Sequence, residues 1–116
     1  MVYHALPQGL RDGMRRRIRP GQYVDISTVL SQKIRMLEQH RSQKDWLDAS
    51  QGVGSYVAEM ERMARAVGTE SGRFSYAEGW RRHSHLGFYA YSDADLLSER
   101  LGERCWVDPA YELGLG

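Results

Sequence analysis

Between Trp46 and Val67, apolar and small residues recur at Trp46, Ser50, Val53, Val57, Met60, Ala64 and Val67, at spacings alternating between four and three. An α-helix brings such positions onto one side, so the stretch predicts a long helix with one mostly apolar seam. Asp48, Gln51, Glu59, Glu61, Arg62 and Arg65 fall between them and suit the solvated side. A seam of that length needs a cover, and the expected cover is another helix. Trp46, Val53, Val57, Met60 and Ala64 are accordingly the expected dimer seam.

The rest of the chain punctuates in the same helical style. Pro7 suits the first turn of a short helix reaching Ile18, although Gly9 and Gly13 each weaken it by about 1 kcal/mol. Pro20 and Gly21 break it, and Asp25 or Ser27 caps a second helix over residues 27–40, with Ile26, Leu30, Ile34 and Leu37 as its seam. Ser42 and Asp45 resemble a capping box for the long helix, residues 45–67, which Gly68 is expected to stop in the left-handed conformation. Gly52 and Gly54 inside it suggest that another backbone comes close. Ser75 and Glu78 form a second capping box, opening a helix over residues 76–86 that Gly87 ends. Ser92 and Asp95 open the last one, residues 93–101, which stops at Gly102. Residues 105–107 look like a strand, but one such run has no partner for a sheet. The expectation is a single all-α domain over residues 1–116, a compact bundle of four to five helices with an extended C-terminal arm, forming a homodimer.

Composition narrows the class. At 116 residues the chain suits one core. Its apolar runs are a few residues long, too short for a membrane span. The first residues place an apolar patch ahead of the basic ones, the reverse of a secretory signal. Cys105 stands alone, which rules out an intramolecular disulfide or a cysteine-cluster zinc site and fits a reducing compartment. A cytoplasmic protein is expected.

No chemistry emerges from the residue pattern. His83 and His85, two apart on an expected helix, point away from each other, and nothing in the spacing of His40 and Cys105 completes a metal site. There is no nucleophile elbow, and the glycines of GVGS, residues 52–55, are not followed by a lysine, so no phosphate loop forms. Neither catalytic residues, metal nor cofactor is expected. Trp80, Arg81, Arg82, Phe88, Tyr89 and Tyr91 are instead the aromatic and arginine types that dominate protein interfaces, and they are the candidate partner-binding residues, with core packing as their alternative role. The net charge of +1 is unevenly spread. Residues 1–20 hold five arginines against one aspartate. A basic arm at Arg11, Arg15, Arg16, Arg17 and Arg19 makes a small nucleic-acid-binding regulator the alternative function, although the pI near 7.9 is low for one and no helix-turn-helix spacing is evident.

The segment FSYAEGWRRHSHLGFYAYSDADLLSERLG, residues 74–102, together with the chain length, resembles the LasR-specific antiactivator family of bacterial quorum sensing. The likeness is one of a whole segment, about a quarter of the chain, and carries no short motif that assigns a role to a residue. It implies a small all-helical homodimer that binds the ligand-binding domain of a LuxR-type transcription regulator (LasR). Such binding would block dimerisation of the regulator and keep it off DNA. The residues taken alone fit adaptor and inhibitor proteins in general.

Overall fold

Where the sequence leads one to expect a helix over residues 76–86, the computed structural model has a strand, β3 (Ala77–His83), and that exchange changes the fold class. Residues 1–40, 55–83 and 94–115 are described. Among them β3 pairs on one side with β1 (Val2–Ala5), Tyr3 opposite Arg82, and on the other with β2 (Gln22–Asp25), Tyr23 opposite Gly79. β2 pairs in turn with β4 (Cys105–Val107), Tyr23 opposite Trp106. All pairings are antiparallel, in the order β1-β3-β2-β4. The chain is therefore mixed α/β, and the all-α expectation is wrong.

Local physics explains the exchange. A glycine inside a helix costs about 1 kcal/mol relative to alanine, and Gly79 would sit in the middle of the expected one. In the strand its bareness is required: a Cβ there would lie 2.7 Å from Leu6 and 2.8 Å from Pro20. Glu78 does not close a capping box with Ser75. Its carboxylate accepts instead from Lys33 Nζ at 2.7 Å. The lone strand-like run at residues 105–107 does have a partner, Gln22 to Val24, more than eighty residues earlier. Pairing across such separations leaves no mark on local periodicity.

The helices are α1 (Leu30–Glu38), α2 (Ser55–Ser71), α3 (Leu96–Leu101) and α4 (Pro109–Gly114). Directly paired residues share a sheet face and successive residues alternate, so Tyr23, Ala77, Gly79 and Trp106 occupy one face. α2 packs there. Val67 joins Leu10, Tyr23 and Ala77 in the core, with Met63, Phe74 and Trp106 packed against it. Of the described part of the seam, Val67 is thus covered by a sheet of its own chain rather than by a second helix. Tyr3, Gln22, Arg82 and Cys105 occupy the opposite face, beneath α3. Among the described residues no helix is long and apolar enough to cross a membrane.

Two further expectations change. The helix proposed from Pro7 to Ile18 is a single 3-10 turn, Gln8–Leu10, followed by a tight reversal. Asp12 Oδ1 accepts from the backbone N–H groups of Met14 and Arg16, both at 2.9 Å, a local bond that competes with the helix. Gly68 does not end α2. The helix runs on to Ser71, whose hydroxyl donates to Gly68 O at 2.5 Å and accepts from Arg73 and Phe74 N–H, and Gly72 at φ +68° turns the chain out. Asp95 caps α3, which begins at Leu96, three residues later than expected, and Gly102 follows it at φ +54°, where the stop was expected.

Gly68 is bare because β3's approach runs across it: a Cβ would lie 2.6 Å from Ser75 O and 2.7 Å from Phe74 O, both backbone atoms with little room to yield. Gly68→Ala gains helix propensity of about 1 kcal/mol but forces the 74–75 backbone away, at a cost of about 1–3 kcal/mol. Urea denaturation should show a net loss of stability. An unchanged or raised midpoint would mean that the two backbones are not in contact.

Candidate functional site

On the α3 face one carboxylate collects most of the polar groups. Asp95 Oδ1 accepts from Tyr3 Oη at 2.6 Å and from Ser98 N at 3.3 Å. Its Oδ2 accepts from Ser98 Oγ at 2.7 Å, Gln22 Nε2 at 2.8 Å and Arg82 Nη1 at 3.0 Å. Arg82 uses its other terminal nitrogen on Glu112 Oε1 of α4, at 2.7 Å. The Asp95 and Arg82 side chains are 14% and 22% exposed, so the pair is largely withdrawn from water. Burial alone would raise the Asp95 pKa, but the hydrogen bonds from Tyr3, Ser98 and Gln22 outweigh it and leave the carboxyl well below the usual carboxylate range. Cys105 lies beside this cluster, its Sγ 3.7 Å from Ser98 Oγ, and burial pushes its thiol pKa up, away from the reactive thiolate. Most donors in the cluster hold strands and helices together, while Arg82 Nε and Gln22 Oε1 are buried without a hydrogen-bond partner among the described residues. It is a clasp.

The basic arm is similarly engaged. Arg17 pairs with Glu70 of α2, Arg19 Nη2 reaches the buried Asp108 Oδ2 at 2.8 Å, and Arg16 Nε meets Asp12 at 3.2 Å. Arg11 Nη1 donates to Arg15 O at 3.0 Å. Three of the five arginines therefore neutralise carboxylates of this chain, which weakens the patch as a phosphate binder.

Of the expected partner-binding residues, the three that are described do not share one face. Trp80, half-buried, and Arg82 lie on one sheet face, and Arg81 on the other. Arg81 Nε donates to Arg19 O at 2.9 Å, and its guanidinium stands 5.9 Å from the Tyr111 ring centroid. Phe88, Tyr89 and Tyr91 lie outside the described residues, as do Trp46, Val53 and His85. Of the remaining seam, Ala64 is buried, and Val57 and Met60 are half-buried. His83 approaches not a second helical histidine but His4 of β1, Nδ1 to Nε2 at 3.2 Å. Among the described residues no group of three or more histidines, cysteines and carboxylates could hold a metal.

Sequence reasoning missed the surface around α1. No residue of this helix is buried, although Ile34 and Leu37 recur with helical spacing. Val29 and Met36 are 40% and 64% exposed. With Ile26 and Leu37 they form a largely apolar groove, bordered by Gln32, His40 and the paired Lys33 and Glu78. Between α1 and α2 lies a cavity of about 310 Å³, against the part of β3 that β1 leaves uncovered. The signal was present in the seam Ile26, Leu30, Ile34 and Leu37, but a seam does not reveal whether its own chain covers it. No family model, curated protein or solved structure matches this chain.

Asp95 supplies a prediction with a definite sign. Its folded pKa lies below the unfolded value of about 3.9, so the stabilisation is present above that pH and is lost as pH falls below it. Asp95→Asn keeps the shape but strips the charge facing half-buried Arg82, and should cost about 2–4 kcal/mol at pH 7. The variant's stability should also fall less steeply than the parent's between about pH 5 and pH 2. Parallel urea titrations across that range decide it; equal slopes would remove Asp95 from the acid response.

Proposed function

We propose that the protein acts in the cytoplasm by binding a protein partner, and that this partner is the ligand-binding domain of a LuxR-type transcription regulator of the LasR kind, whose dimerisation and promoter binding it blocks. The observation that carries the binding half is α1: an amphipathic helix with no buried residue and an exposed apolar groove beside it. Exposed apolar surface of this kind is stabilised when a partner covers it. The identity of the partner rests on the resemblance of residues 74–102. That resemblance also implied an all-helical fold, which the sheet contradicts, so the partner assignment stands on the segment alone.

Co-purification with the LasR ligand-binding domain, followed by promoter binding with this protein in excess, tests the reading. A stable complex and an emptied promoter are expected. Met36→Glu, placed in the groove, should weaken the complex by about 2 kcal/mol if Met36 is a hot spot. A LasR that remains on its promoter defeats the antiactivator reading, whereas a complex indifferent to Met36→Glu moves the interface away from α1. The homodimer is proposed from the same resemblance; light scattering of the purified protein should report twice the chain mass, and a monomer would exclude it.

A further inference from the structure

We propose that the cavity between α1 and α2 binds one uncharged, largely apolar small molecule. The inference is independent of any protein partner and rests on three observations. The first is shape. α2 supplies one wall through Tyr56, Met60 and Met63, α1 supplies the other through Leu37, and Leu6 and Ala77 close the inner end. At about 310 Å³ the space is large enough for a small ligand and stands at the lower end of ordinary binding sites.

The second observation is charge. Lys33, Glu59 and Glu78 border the cavity, and each is already paired: Lys33 Nζ with Glu78 at 2.7 Å, and both Glu59 oxygens with Arg62 at 2.5 and 2.8 Å. An ionic ligand would have to break one of these pairs or else enter an apolar space without a counter-ion. A neutral molecule does neither. Gln8 and Tyr56 remain as uncharged polar groups on the lining.

The third observation is adaptability. Two methionines form the wall contributed by α2, and their flexible thioethers repack around ligands of differing outline. The facing wall belongs to α1, no residue of which is buried. No residue of α1 belongs to the core cluster around Tyr23.

The test uses the whole chain and the uncharged dye N-phenylnaphthylamine, whose emission rises in apolar surroundings. Saturable binding of one dye per chain is expected. Met60→Trp and Leu37→Trp fill the cavity from opposite walls, and each should weaken the dye by about tenfold or more. Met36→Glu, in the outer groove, should leave its affinity within about twofold. Circular dichroism checks the folding of each variant, and competition on the unaltered protein serves should a variant fail to fold: toluene should displace the dye, whereas benzoate, the same ring with a charge, should not. Absence of saturable binding overturns the proposal, as does undiminished binding by both folded tryptophan variants. Equal competition by benzoate overturns the neutral class, and loss of binding in Met36→Glu places the dye in the outer groove.

Discussion

The Asp95 carboxylate, with Arg82 facing it, is the contact on which the architecture depends. Through direct bonds it joins β1 at Tyr3, β2 at Gln22, β3 at Arg82 and the first turn of α3 at Ser98, and Arg82 extends the connection to α4 at Glu112. Tyr3 and Asp95 are 92 residues apart. A carboxylate that accepts several charge-assisted or neutral donors recovers its desolvation only when all of them are in place. The cluster therefore acts as a check on register. A shift of β1 by one residue would replace Tyr3 with Val2 or His4 opposite Arg82 and turn the hydroxyl to the other face. With the sheet order fixed in this way, the small core on the far face can close around Tyr23.

That dependence explains which parts of the fold were legible in the sequence. Helical periodicity is local, so α1, the described part of the long helix, and α3 are readable from spacing, although α1 and α3 each begin three residues later than expected and α1 lacks the side-chain cap expected from Asp25 or Ser27. The sheet is not, because each strand is short and takes its identity from a distant partner. Gln22 to Asp25 lies where a helix cap was expected, and Ala77 to His83 where a helix was. Gly79 was the one local warning. An unfavourable helix residue flanked by Glu78 and Trp80 fits alternation better than a 3,4 pattern, and the sheet uses that alternation to bury Ala77 and Gly79 together. Gly68 misleads differently. A glycine near a helix end suggests a left-handed stop, yet here it marks a close approach three residues before the true end.

The site was less legible than the fold. Aromatic and arginine residues were chosen for their type, but Arg81 and Arg82 serve the internal hydrogen-bond network, one holding Arg19 O and the other Asp95 and Glu112. Composition does not distinguish an arginine that presents its fork to a partner from one that spends it on its own chain. The same limit applies to the basic arm, where carboxylates at Asp12, Glu70 and Asp108 were present in the sequence but their pairing was not.

The two faces of the sheet are thus finished to different degrees. On the α3 face polar groups converge at hydrogen-bond distance, a geometry that tolerates little movement. On the α2 face the core is dense near Tyr23, Val67 and Ala77, but α1 lies beyond it, and among the described residues Lys33 of α1 pairs with Glu78 of β3. An ion pair whose partners are each about one-third exposed contributes little stability. That pair therefore holds α1 more weakly than the clasp around Asp95 holds α3. A protein arranged in this way can present one amphipathic helix while the strands keep their order, so the binding proposed at α1 would leave the fold that carries it intact.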